Sequence, residues 1–379
     1  MKNFKYFYSF LLLATFVLSS CNKNNDDISS DSSYEEETFT VIWKNYDNSI
    51  LEVDENVTKG TVPTYDGNTP TRENDDLYTY TFNGWDPEVG PIYKNTSFVA
   101  TFKAMDNSIN IDGNPSINSD NNIEYGYYPF NHVSDESLID SIKNSGTLLD
   151  SGYHSYNNKL YSSVIASTYP GGGYDFSSGV TITDGEEYWF EVQKIEWIIL
   201  KNIDNNTYYL TSKYLLDVSP FYSSYENRVV EEETIYPNNY LYSDLKTNLN
   251  NHFYDTFFYY CNDYIVANDE QEKISALSYQ ELFDSSLGFE TIEGESSDTR
   301  TAKVSDYALA VGAWASHGKD QTAIKNNPYE YNGMYWTKTS SLKFTYSSYV
   351  CNSSGFLSEY VIDRSSVSIR PTIILNYSF

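Results

Sequence analysis

Three regimes of apolar and polar positions follow one another along the chain. From Tyr6 to Val17 nearly every residue is apolar, and Lys2 and Lys5 precede the run. From Asn22 to Thr38 the pattern inverts to Asn, Asp, Ser and Glu with almost nothing to bury, too little to offset the entropy of ordering. From Phe39 the period becomes two. "FTVIW" sets Phe39, Val41 and Trp43 on one face, "YTYTF" does the same with Tyr78, Tyr80 and Phe82, and "SFVATF" with Phe98, Ala100 and Phe102. Such alternation predicts half-buried strands. The segments "KNYDNS", "YDGNTPT" and "DPEVGP" supply the turns between them. A small, mostly β unit over residues 39–104 is the result.

Residues 105–122 read as an Asp/Asn/Ser/Gly linker, and from Ile123 to Phe379 the patterning is mixed. "YWFEVQKIEWIIL", "KNIDNN" and "TYYLTSKYLL" predict two strands around a polar turn. Ser243 is placed to cap a helix in which Leu245, Leu249, Phe253 and Phe257 recur every four residues. "DYALAVGAWA" suits a helix or a buried strand, with no breaker before Gly312. The terminal "SVSIRPTIIL" is a strand interrupted by Pro371, which suits an edge or a bulge. Short strands with few helices predict an α+β class.

The first apolar run is too short and wrongly flanked for a spanning helix and has the build of a signal peptide. It ends in Leu18-Ser19-Ser20-Cys21, which resembles the lipobox of bacterial lipoproteins. That resemblance implies removal of residues 1–20, acylation at Cys21, and residues 21–38 acting as a disordered acidic tether. Several acyl chains are needed because one holds a protein only reversibly. The expected location is the outer face of a cell membrane, or the periplasm in a two-membrane envelope.

In residues 39–104 the pieces "VIWKNYDNSILEVDE", "VPTYDGNTPT", "YTFNGWDPEV" and "SFVATFKA" resemble the internalin-type B-repeat, also called the Listeria–Bacteroides repeat. The resemblance implies a β-grasp-like fold used as a spacer or interaction module, present here in one copy. Residues 123–379 carry "IEYGYYPF", "KIEWIIL", "LTSKYLLD", "YSDLKTNLNNHFYDTFF", "EKISALS", "KVSDYALAVG", "YWTKTSS" and "SIRPTIIL". In that order they resemble the bacterial domain of unknown function 6273, and more distantly the C-type-lectin-like fold shared with formylglycine-generating enzymes. The whole is then a multidomain α+β protein: a small β-grasp-like module followed by a larger C-type-lectin-like head. Family members often carry Trp-x-Arg-Ser where this chain has Trp336-Thr337-Lys338-Thr339. Lys338 is a point charge that cannot make the planar fork of an arginine.

Charge narrows the partners. Loss of Lys2 and Lys5 with the leader takes the formal charge from −29 to −31, so phosphate backbones are repelled and nucleic acid is excluded as a partner. The 38 tyrosines suit stacking on sugars, or reflect the codon usage of an AT-rich genome. Asp106, Ser108, Asn110 and Asp112 alternate as calcium ligands would, but Ile111 and Ile117 stand where an EF-hand needs Gly and Glu. His132, His154, His252 and His317 have no partner at metal-ligand spacing. "PGGGY" lacks the Gly-Lys-Ser/Thr of a phosphate loop, and Glu231, Glu232 and Glu233 read as a solvated charge run. No metal or other cofactor and no catalytic residue is assigned.

Cys261 and Cys351 can pair in an exported protein or stay as two thiols. They are far apart in sequence, so the closely placed cysteine pair that the formylglycine-generating resemblance requires is missing. The triplets of a calcium-dependent sugar site are absent too. Binding through aromatic side chains then points to Trp314, Tyr335 and Trp336, with Lys338 beside them. The competing reading makes Trp336 core beside the terminal strand. The leading expectation is a non-catalytic binding head presented to a glycan or a surface protein. The alternatives are an oxidative or hydrolytic enzyme and a plain envelope spacer. The anchor is testable by fractionation: Cys21→Ser should move the chain from membrane to soluble fraction, and retention of that variant in the membrane contradicts lipidation.

Overall fold

The computed structural model describes residues 37–75, 78–107, 111–268, 271–316 and 330–379. The leader, Cys21, nearly all of the tether, Ser108, Asn110 and His317 lie outside the described residues. The protein is mostly β with few helices, an α+β chain of more than one unit. Contacts divide the described residues into 37–70 with 83–101, and 71–82 with 102–379. Residues 71–82 and 102–104, expected in the first module, therefore fall with the second unit. Local bonds explain part of this: Asn107 Nδ2 donates to Asp75 O at 2.9 Å, and Thr79 Oγ1 donates to Asn107 Oδ1 at 2.7 Å.

The alternating segments of the first module form strands β1 (Thr38–Lys44), β2 (Ile50–Thr58), β3 (Tyr78–Asp86) and β4 (Thr96–Asp106). They lie in the order β2-β1-β4-β3, with β1 antiparallel to β2 and parallel to β4. Val41, Trp43, Ile92 and Phe98 are its buried core. Trp43 stacks on Phe98 at 4.7 Å and meets Trp85 edge-on at 4.7 Å, while its Nε1 donates to Asp54 at 2.8 Å.

Beyond residue 110 the second unit continues with β5 (Ser116–Ile117) and β6 (Ile123–His132), which pair, so the end of the predicted linker is built into this unit. Helix α1 (Glu136–Ser145) is capped by Asp135, whose carboxylate accepts from Ser137 and Leu138. Strands β7 (Thr147–Leu148), β8 (His154–Tyr156), β9 (Lys159–Ile165), β10 (Glu187–Asn202) and β11 (Thr207–Ser212) follow, the last two being the predicted hairpin. After β12 (Asp217–Val218) comes a hairpin of β13 (Arg228–Val230) and β14 (Glu233–Ile235). Helix α2 (Asp244–Asn248) runs through a π-helical turn, Leu249–Phe253, into α3 (Tyr254–Phe257).

Ser243 caps α2 as expected, its Oγ accepting from Lys246 N at 3.0 Å. Leu245, Leu249, Phe253 and Phe257 are all buried. A spacing of four overshoots an α-helical turn by about 40° at each step. The wider π-helical turn absorbs that drift and keeps all four on one core.

The remaining elements are β15 (Ile265–Val266), β16 (Ile274–Ala276), α4 (Asp306–Ala310), β17 (Tyr335–Ser340), β18 (Ser347–Cys351), β19 (Leu357–Val361), β20 (Ser368–Ile369) and β21 (Pro371–Asn376). Ten strands make a large sheet with the path β15-β21-β11-β10-β9-β8-β7, to which β16, β6 and β5 add; β12-β20-β17-β18-β19 make a second sheet. Pro371 is neither at an edge nor in a bulge. It is the first residue of β21, a strand paired on both sides, and it stands where the chain leaves one sheet for the other. A strand's first position tolerates the missing N–H.

Two apolar cores carry the unit. Trp197, Phe253, Trp336 and Ile373 belong to one, and Phe190, Leu215, Tyr335 and Cys351 to the other. Adjacent residues of a strand point to opposite faces, so β17 sends Tyr335 into one core and Trp336 into the other. Both are buried, which corrects their assignment as ligand-stacking rings. Trp336 Nε1 donates to Ser219 O at 2.8 Å, and the Tyr335 hydroxyl donates to Arg300 O at 2.6 Å. The disulfide reading is corrected as well. Cys261 and Cys351 are free, one packed on each core, and burial raises the thiols to about 12 and about 11.

Asp217 of β12 is a buried carboxyl whose titration couples to stability. Burial raises its carboxyl from 3.8 to about 6, opposed by the N–H of Val218 at 2.7 Å and by the field of His252. The folded chain keeps that proton where the unfolded chain has lost it, so stability falls as pH rises from about 4 to about 6. Asp217→Asn preserves the Val218 bond and removes the charge. Thermal or urea unfolding at pH 7.5 should show a gain on the order of 2 kcal/mol that vanishes near pH 4; an equal gain at both pH values contradicts the assignment.

Candidate functional site

The long strand β10 passes from one core to another along its length. Phe190 is buried in the core of Leu215 and Tyr335, and Ile195 and Trp197 in the core of Phe253 and Trp336. Its pairing with β6 shifts at Glu191/Val192 and again at Lys194/Glu196, and at each shift β6 carries the extra residue. Bulges re-aim the side chains around them. Beside them Gln193, Lys194 and Glu196 of β10 line one cavity of about 390 Å³. The facing walls are Phe130 and Asn131 of β6, residues 175–177, Tyr214, residues 303–306 and Tyr331.

Each wall is fixed by a separate device. Asp306, first residue of α4, accepts from Ser177 N at 2.9 Å and Ser177 Oγ at 2.6 Å. Ser305 caps the same helix, accepting from Ala308 N at 3.1 Å, and lies 2.8 Å from the Tyr128 hydroxyl. His132 stacks on Phe176 at 4.2 Å and places Nδ1 2.8 Å from Ser178 Oγ. Burial lowers the His132 pKa below 6.5, against the opposing fields of Asp306 and Glu136. The ring is therefore neutral at neutral pH. Its contribution is full above about pH 6.5 and is lost as pH falls through the depressed folded value.

Tyr331 is the strained member. Its φ is +63°, a left-handed conformation that a bulky side chain adopts at a cost of about 1–2 kcal/mol. The backbone is held there by Tyr331 N to Ser316 O at 2.7 Å and Val304 N to Tyr331 O at 2.9 Å. Its hydroxyl accepts from Asp175 N at 3.2 Å. Strain of this kind concentrates at binding sites, where the surrounding structure over-determines it.

Most charges around the cavity are already engaged. Glu196 takes Lys213 at 2.6 Å, Lys194 takes Asp112 at 3.1 Å, and Asp306 holds Ser177. The exposed side chains of Asn131, Gln193 and Lys303 have no partner among the described residues. Phe130 and Tyr214, in edge contact at 5.7 Å, and Tyr331 add aromatic surface. Ring faces bordered by free amides and one ammonium suit a polyhydroxylated ligand, whose C–H face packs on a ring while its hydroxyls reach the amides. Among the described residues no three His, Cys, Asp or Glu side chains gather to hold a metal ion.

The residues singled out from sequence lie elsewhere. Trp314 is half-buried, with its N–H on Ser366 O at 3.0 Å, and Tyr335 and Trp336 are core. Lys338 borders two other hollows, one of about 450 Å³ with Tyr209, Glu272 and Glu281, and one of about 530 Å³ with Tyr236, Leu241 and Leu342. None of the four lines the cavity under β10. No sequence signal marked it: the apolar positions 190, 192, 195 and 197 of "FEVQKIEW" feed different cores, and the extra residues at the register shifts lie on β6. The partners on β6, α4 and residues 330–332 are too distant in sequence to be linked to it. No family model matches the chain, and no curated protein or solved structure matches it.

If Tyr331 is held in strain for its ring, removing the ring and freeing the backbone separate cleanly. Tyr331→Gly should be more stable than Tyr331→Ala by about 1 kcal/mol in urea unfolding; an Ala variant at least as stable as Gly contradicts the strain.

Proposed function

We propose that the chain is a lipid-anchored, non-catalytic protein of a bacterial surface, and that its second unit is a recognition head whose cavity under β10 takes a saccharide. In this reading the first module is a β-grasp-like spacer of the B-repeat kind, and the head is C-type-lectin-like, related to the domain of unknown function 6273. The observation that carries the proposal is the cavity's make-up: preformed walls, a strained Tyr331, and three polar side chains, Asn131, Gln193 and Lys303, with no partner among the described residues. The separate burial of Cys261 and Cys351 supports binding over an oxidative chemistry that needs two thiols together.

The test uses the chain released by Cys21→Ser, with binding measured to a panel of glycans, mucins and cell-wall fragments, with and without calcium. The expected result is a calcium-independent hit, weakened about tenfold or more by Tyr331→Ala or Gln193→Ala and unchanged by Lys338→Ala. A panel with no hit, or a hit indifferent to both cavity variants, overturns the reading and leaves the head as a spacer.

A further inference from the structure

The turn between β17 and β18 is held from beneath by a buried amide. Asn238, 6% exposed, donates through Nδ2 to Ser341 O at 2.9 Å, Phe344 O at 3.1 Å and Ser347 O at 3.0 Å. Its backbone N–H donates to Thr345 O at 3.1 Å, and Ser340 Oγ donates back to Asn238 O. Ser341 Oγ accepts from Lys343 N and Phe344 N, each at 3.0 Å, and donates to Glu359 at 2.6 Å. On the crest of this turn Leu342 is 102% exposed. Phe344 stacks on Tyr346 at 5.3 Å beside it, and the Lys343 ammonium lies 4.7 Å over the Phe344 ring.

Every bond that fixes the turn is made by backbone, Asn238, Ser340 or Ser341, so the leucine side chain contributes nothing to it. Its burial energy is left unspent in water. A rigid turn also loses little entropy when a partner covers it. Beside the knob runs the groove of about 530 Å³, walled by Tyr236, Leu241 and Leu342, the first two each 51% exposed. Its polar side chains are turned to the chain itself: Asn239 Oδ1 accepts from Leu241 N and Thr339 Oγ1 from Tyr279 N. What it presents outward is therefore apolar, unlike the cavity under β10. The charge is also the reverse of the molecule's. Lys338 lines the groove, no carboxylate does, and Lys343 stands on the crest of a chain of net charge −29.

We propose that this groove docks an extended segment of a partner protein that carries a large apolar residue flanked by Asp or Glu. The apolar residue packs against Leu342, Tyr236 and Leu241, and a carboxylate meets Lys343. The site is independent of the saccharide cavity, and each can fail without the other.

The experiment selects a displayed library of random short peptides on the Cys21→Ser chain. The expected consensus pairs a large apolar residue with adjacent Asp or Glu. A synthetic peptide of that consensus should bind about tenfold or more weakly to Leu342→Asp, more weakly to Leu342→Ala and Lys343→Glu, and equally to Tyr331→Ala. The melting temperature of Leu342→Ala should match the parent. A consensus without acids, or binding indifferent to Leu342→Asp and Leu342→Ala, overturns the proposal. So does sedimentation with phosphatidylglycerol vesicles, or a concentration-dependent dimer, that either Leu342 variant abolishes, since the knob then serves a membrane or a second copy.

Discussion

The division of β10 between two cores is the constraint on which the second unit depends. One strand of 16 residues pairs in turn with β9, β6 and β11, and it must bury Trp189 and Phe190 at one end and Ile195 and Trp197 at the other. Side chains alternate along a strand, so Phe190 enters one core while Ile195 and Trp197 enter the other. The register against β6 shifts twice along the same stretch, each time by an extra residue on β6. Gln193, Lys194 and Glu196, beside those shifts, line the cavity.

Around that opening the chain spends polar groups on rigidity. Asp306 and His132 hold residues 176–178 from two sides, and Ser305 ties α4 to Tyr128, whose hydroxyl also donates to Leu216 O in the core. Tyr331 is kept left-handed by two backbone bonds. The turn over Asn238 repeats the strategy elsewhere, with a buried amide fixing an exposed leucine. Preformed surfaces of this kind bind without a large ordering penalty.

Much of the local structure was legible in the sequence because it follows from nearest-neighbour rules. Alternation marked β1, β3 and β4, the polar "KNIDNN" marked the turn between β10 and β11, and Ser243 marked the start of α2. What failed depended on distant segments. Tyr335 looked like an exposed stacking ring, and Trp336 stood open between a ring of that kind and core beside the terminal strand; β17 is covered on both faces by cores that assemble from the whole unit, which buries both. Pro371 looked like an edge because its second neighbour, β16, lies almost 100 residues earlier and is only three residues long. The cysteines can be counted in the sequence, but their separation into two cores cannot be. The cavity was not legible, since its walls come from Phe130, Gln193, Asp306 and Tyr331, which only the fold brings together.

The most direct measurement is the structure of the chain bound to the saccharide that ranks first in the binding panel. The account predicts a sugar ring packed on Phe130, Tyr214 or Tyr331, with hydroxyls within hydrogen-bond distance of Asn131, Gln193 or Lys303. A saccharide seated in either hollow beside Lys338, with the cavity under β10 empty, would contradict it.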